Sequence, residues 1–106
     1  MTKDFKEVRK LYFQKLEQYV LIVSKVHGNH HPEFHEVRKI FEAINEKSKN
    51  MGNNYPNLDE DFKNLRNITN NYEVPTDVCE TYEAVYKMLE EADTAYFARD
   101  NAKIHI

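Results

Sequence analysis

A chain of 106 residues and 12.7 kDa holds one core, enough to bury roughly two-thirds of its unfolded surface, with no room for separate cofactor and substrate domains. Its 41% hydrophobic and 31% charged residues, with two Gly and three Pro, argue against disorder and loop-rich scaffolds and for a helical domain. Fifteen Lys and Arg against 18 Asp and Glu, a net charge of -3 without a basic block, speak against nucleic acid as a partner. The single cysteine, Cys79, excludes an intramolecular disulfide and a cysteine-based zinc knuckle, and fits a reducing compartment, by default the cytoplasm. The most apolar run, Tyr19 to Val23, is far shorter than the ~20 residues a membrane span needs. The N-terminus begins with alternating charges rather than a signal-peptide core, so neither export nor a membrane is expected.

Apolar residues at Val8, Tyr12, Leu16, Tyr19, Val23 and Val26, with Leu11 and Ile22 widening the stripe, predict a first helix over 4–27. Asp4 and Glu7 can form a reciprocal cap at its start, and Gly28-Asn29 supplies a left-handed residue at its end. Pro32 suits the first position of a second helix over 32–50, whose inner face is Phe34, Val37, Phe41 and Ile44. Asn57 and Glu60 have capping-box spacing for a third helix over 58–70, with Leu58, Phe62, Leu65 and Ile68-Thr69 inward and Asn70-Asn71 closing it. Thr76 is the expected cap of a fourth helix over 76–98, carrying Val78, Tyr82, Val85, Leu89, Ala92 and Tyr96. Residues from about Ala98 to Ile106 carry no clear stripe and are expected to fray. Four helices with short connections favour a small antiparallel, up-down four-helix bundle. Leu16, Val23, Phe41, Leu65, Val85 and Leu89 are expected to be buried.

Four of the five histidines fall between Val26 and His35. His31 and His35 are four apart, and His27 lies across the turn from them; neutral imidazoles so spaced can chelate one transition-metal ion. His27, His30, His31 and His35 are therefore the candidate metal ligands. The competing reading gives them capping, turn and surface roles, and the number of ligands a closed site requires favours it. A carboxylate-bridged two-metal centre needs His and Glu at helical spacing. No histidine here is followed four residues later by Glu, and no Glu is followed three later by His, so no di-iron centre is expected.

Cys79, in the first turn of the expected fourth helix, is placed where a helix dipole favours the thiolate, although a free cysteine is more often a small buried apolar residue. Tyr82 and Tyr86, four apart, are read as half-buried residues at the core edge rather than as ligand-flanking groups. Asp59-Glu60-Asp61 is a favourable charge at a helix start, and Glu90-Glu91 a solvated face. No phosphate-binding loop, nucleotide fingerprint or Ser/His/Asp constellation is present.

Three patches together resemble a known family: Val26-His27-Gly28 with His31-Pro32-Glu33-Phe34, then Leu65-Arg66 with Ile68-Thr69-Asn70-Asn71-Tyr72 and Pro75, then Cys79 with Thr81-Tyr82, Tyr86 and Leu89. They are similar, in the same order across most of residues 16–96, to the hemerythrin-like domain of the RIC-type iron-sulfur cluster repair di-iron proteins. The resemblance implies a hemerythrin-like helical bundle and a role in repairing iron-sulfur clusters after oxidative or nitrosative damage. Where the family has its His/Glu ligand pairs, this chain aligns Met51 and Tyr55, and Arg99 and Lys103. The two remaining ligand histidines have no counterpart, and a form without the family's N-terminal domain of paired cysteines is expected.

The expectation is thus a short, ligand-depleted relative that protects or repairs iron-sulfur clusters or handles iron under stress. It would act by binding rather than turnover, with iron-sulfur proteins as partners and at most one transition-metal ion, iron by resemblance, as cofactor. The alternative is a metal-free helical protein-interaction module, including one that forms a homodimer.

Overall fold

The computed structural model describes residues 4–52 and 54–104, with side chains through Ala98. Four helices follow one another: α1 (Phe5–His27), α2 (Glu33–Ser48), α3 (Asp59–Thr69) and α4 (Glu80–Ile104). The protein is an all-α domain in which α1 packs chiefly on α4, α2 on α3, and α1 on α2, contacts consistent with a four-helix bundle. Among the described residues no helix is long and apolar enough to cross a membrane.

Local chemistry explains most of the helix ends. Asp4 is extended, and its Oδ1 accepts the Glu7 N–H at 2.8 Å, satisfying one of the free amides at the start of α1. At the other end Gly28 is right-handed (φ -59°, ψ -28°) and donates its N–H to Ser24 O, so the expected left-handed cap is not used. The chain turns instead through His30 N–H and His31 N–H, both donating to the His27 carbonyl. Glycine is favoured there for space: a Cβ on Gly28 would collide with the Ser24 carbonyl oxygen and stand 2.6 Å from Nε2 of His35. The capping box expected at Asn57 and Glu60 is likewise replaced. Asn57 Oδ1 accepts the Asp59 N–H at 3.1 Å, and the buried Leu58 N–H donates to the Tyr96 hydroxyl at 2.8 Å.

Asn70 does close α3 in the left-handed region (φ 53°), and the conformation continues through Asn71 (φ 60°) and Tyr72 (φ 63°). Such backbone is costly for a bulky residue. Surrounding bonds hold it: Thr69 Oγ1 accepts the Tyr72 N–H at 2.8 Å, and the Tyr72 hydroxyl donates to Asp93 Oδ2 at 2.8 Å. Asp93, buried on α4, also receives Arg66 Nη1 at 2.9 Å. Burial raises the Asp93 carboxyl above its ordinary pKa, against the pull of Tyr72 and Arg66.

The fourth helix starts at Glu80, not at Thr76, and its backbone continues to Ile104 where the apolar stripe had ended near 98; the last two residues of the expected frayed tail lie outside the described residues. Thr76 and Asp77 form a turn that carries the chain across to the α1–α2 connection. The first amide bond of α4 runs from Glu83 N–H to the Cys79 carbonyl.

Leu16, Val23, Phe41, Leu65, Val85 and Leu89 are all buried as expected, none more than 1% exposed. The inner face of α1, however, is rotated relative to the expected stripe. Phe13 and Val20 are buried, while Leu11, Ile22 and Val26 are exposed by 51%, 49% and 64%. The cause is that α1 serves two neighbours. Phe13 meets Phe41 of α2 edge-on at 5.2 Å between ring centres, and Arg9, further along that side, binds Ser48 Oγ and Asn45 Oδ1, each at 2.8 Å. The seam is therefore centred between α2 and α4 rather than on the apolar residues of highest regularity.

Candidate functional site

The sequence puts its unusual histidines at the α1–α2 turn, and the fold lays the segment before α4 against that turn. His27 Nε2 stands 3.2 Å from Cys79 Sγ. His31 lies between two carboxylates, with Nδ1 3.0 Å from Glu33 Oε2 and Nε2 3.0 Å from Asp77 Oδ1. Beneath them Tyr82 presents its ring to both imidazoles, 5.5 Å from each, and packs on Phe34 at 5.0 Å.

Tyr82 and Tyr86 lie deeper than the core-edge position expected of them, 0% and 2% exposed, with their hydroxyls 3.2 Å apart. Burial raises both phenols above the ordinary tyrosine pKa. They are proton-holding groups at neutral pH, and they form an aromatic support for the histidine turn rather than a nucleophile.

The four candidate ligands are not gathered around one point. His27 faces Cys79, His31 faces Glu33 and Asp77, and His35 Nδ1 meets Ser24 Oγ at 3.3 Å, while His30 is exposed. Among the described residues no group of three or more His, Cys, Asp or Glu side chains is arranged to hold a metal ion. The donors present do not fit a two-iron centre. At His31 both ring nitrogens face carboxylates, so a metal ion there would have to displace one of them.

That pincer has a different consequence. The Glu33 hydrogen bond, reinforced by Asp77 and opposed by desolvation, raises the His31 pKa above its ordinary value. A native pKa above the unfolded one means that the imidazolium stabilises the fold. The stabilisation is complete below the unfolded pKa of about 6.5 and is lost as pH rises through the higher native value. Urea midpoints measured between pH 6 and 8.5 are expected to fall more steeply for the wild type than for His31→Gln. Parallel slopes would show that the pincer contributes nothing to stability.

Cys79 is exposed, not the small core residue that a free cysteine more often is. It sits immediately before α4, within hydrogen-bonding distance of the His27 imidazole. No third group orienting His27 is seen among the described residues, so the pair falls short of a nucleophilic triad. The expected charge role of Asp59 is modified too, since Asp59 Oδ1 accepts the Tyr96 hydroxyl at 2.9 Å.

Residue types single out His27, His31 and Cys79, but not Glu33 and Asp77 as the partners of His31. His31 and Asp77 are 46 residues apart, and His27 and Cys79 are 52 apart, beyond the reach of any helical spacing. Compared with known proteins, the chain matches no family model, no curated protein and no solved structure.

Proposed function

We propose that this protein is a short relative of the RIC-type iron-sulfur cluster repair proteins, with their antiparallel, hemerythrin-like bundle. It protects or repairs iron-sulfur clusters, or handles iron, under oxidative or nitrosative stress in the cytoplasm, and does so by binding rather than turnover. One observation carries the reading. The three sequence patches that resemble the family are separated along the chain, yet they meet at one end of the domain. His27 touches Cys79, Phe34 touches Tyr82, and Glu33, Thr69, Asn70, Pro75 and Tyr86 line a common surface depression. Residues kept together in space as well as in order are what a retained binding surface would leave.

The experiment is a binding assay with a [4Fe-4S] ferredoxin, intact or exposed to nitric oxide. Retention of the damaged form alone is expected, weakened by His31→Ala and by Cys79→Ser. Equal retention of both forms, or of neither, would overturn the proposal.

Any metal affinity belongs to the His27, His30, His31 and His35 turn and is weak, because the His27, His31 and His35 rings must leave their present partners to converge. It should decline further as pH falls through the histidine range, since protonated imidazole does not ligate. Titration with zinc and with ferrous iron should therefore give at most one ion per chain, lost in the His31→Ala, His35→Ala double variant. Two irons per chain, or uptake unchanged in that variant, would contradict this.

A further inference from the structure

We propose that the depression beside Tyr86 binds a basic residue of a partner polypeptide, with the Tyr86 hydroxyl donating to that residue's main-chain carbonyl and Glu33 and Glu73 receiving its cationic side chain. The first observation is a proton count. Among the described residues four tyrosines are buried: Tyr72, Tyr82, Tyr86 and Tyr96. Tyr72 donates to Asp93 Oδ2 and Tyr96 to Asp59 Oδ1. Tyr82 and Tyr86 share a single bond between hydroxyls 3.2 Å apart. Whichever of the two donates, the proton of the other has no acceptor among the described residues. Tyr82 is 0% and Tyr86 2% exposed, and an O–H donor buried without an acceptor is costly.

Tyr86 is the member of the pair that lines the depression, together with Glu33, Thr69, Asn70, Glu73 and Thr76. The space lies between the start of α2, the end of α3 and the segment before α4, and its volume of about 390 Å³ suits one residue rather than a whole helix. An acceptor placed there sets the order Tyr82 to Tyr86 to ligand, and both protons are then used. Besides burial itself, the Glu33 carboxylate contributes to the upward pKa shift of both phenols, so their hydroxyl ends lie within range of that wall.

Charge and hydrogen bonding together select the occupant. No Lys or Arg lines the depression. Glu33 gives one oxygen to His31 and Glu73 gives one to Asn70 Nδ2; the second oxygen of each has no donor among the described residues. Even with His31 charged, Glu33, Glu73 and Asp77 outnumber it, so a cation is attracted and an anion repelled. Tyr86 nevertheless needs an oxygen acceptor, and that oxygen must be neutral. A free amino acid fails, because its carboxylate would face both glutamates, and a simple amine or guanidine brings no acceptor. An arginine or lysine within a polypeptide supplies a neutral carbonyl and a cationic side chain at once. The inference uses the surface invoked for iron-sulfur maintenance but does not depend on that role, since its probes contain no iron and either reading can fail with the other intact.

The test titrates the full chain, followed by backbone amide NMR, with four probes: N-acetylarginine N-methylamide, the corresponding capped glutamate, free arginine and ethylguanidinium. The capped arginine should shift Glu33, Asn70, Glu73 and Thr76 and bind at least about tenfold more tightly than the capped glutamate. It should exceed ethylguanidinium, which lacks the carbonyl, by about three- to tenfold, the span of one hydrogen bond. Tyr86→Phe should erase that advantage, bringing the capped arginine down to ethylguanidinium while circular dichroism stays unchanged. Glu73→Gln, at an exposed position where the amide oxygen still serves Asn70, should weaken both cationic probes by about two- to fivefold and so tests the charge arm without touching the buried pair. Absence of saturable binding, equal binding of the capped glutamate, or shifts confined to other surfaces would overturn the proposal. Free arginine binding as tightly as the capped form would assign the site to a free amino acid instead. An advantage over ethylguanidinium that survives Tyr86→Phe would give the spare proton to a buried water and refute the assignment.

Discussion

Phe41→Ala should cost about 3–5 kcal/mol in a denaturant titration, the range for deleting a fully enclosed phenylalanine. Phe41 is 0% exposed and lies in the middle of α2, with the Phe13 ring edge-on at 5.2 Å. It joins the two helices at a point where α1 has already committed Val20 and Leu16 to the core. The alanine variant loses both the transfer energy of the ring and its contacts with Phe13, and neighbours fixed on two separate helices can close the gap only in part. A loss below about 1 kcal/mol would show that Phe41 is not a core residue.

Asp93→Ala should cost about 2–4 kcal/mol, and Asp93→Asn about 1 kcal/mol or less. Alanine leaves the Tyr72 hydroxyl and the Arg66 guanidinium without their shared acceptor, whereas asparagine keeps one oxygen for them. The alanine figure is set below that of a fully enclosed pair because the Arg66 side chain is 36% exposed. The pH dependence has a definite sign. The Asp93 carboxyl titrates above its ordinary value, so the proton it takes up on acidification favours the folded state; its contribution is fully present below the unfolded pKa of about 3.9 and declines as pH rises through the native one. Between pH 3 and 6, Asp93→Asn should therefore change stability with pH in the direction that removes this acid-side gain. A cycle with Tyr72→Phe measures the coupling, and additive losses would separate the left-handed corner from Asp93.

How legible the fold was in the sequence differs from helix to helix, for physical reasons. Phe34, Val37, Phe41 and Ile44 of α2 are the only strongly apolar series at helical spacing there, and all four are buried. In α1 the apolar residues occupy more than one stripe, and the choice between Leu11 with Ile22 and Phe13 with Val20 is made by α2 and α4, not by α1. The start of α4 failed differently. Thr76 is a good cap by residue type, worth about 1 kcal/mol, but Asp77 is engaged by His31 and Val78 packs against the core. Those tertiary contacts hold the segment out of the helix. The candidate site was visible as residue types at the histidine turn, while its pairing was not, since both key contacts join the first third of the chain to the start of α4.

That same joining of distant segments bears on how the protein comes to exist at all. Because α1 is covered mainly by α4, a growing polypeptide with only its first three helices made leaves much of the inner side of Phe5, Leu16 and Val23 facing water. Stable folding on the ribosome must wait until α4 has been synthesised, and the contacts closing the domain span most of its length, which slows folding relative to helical proteins built from neighbouring contacts. Throughout that interval the apolar residues of α1, inner and outer alike, are open to chaperones.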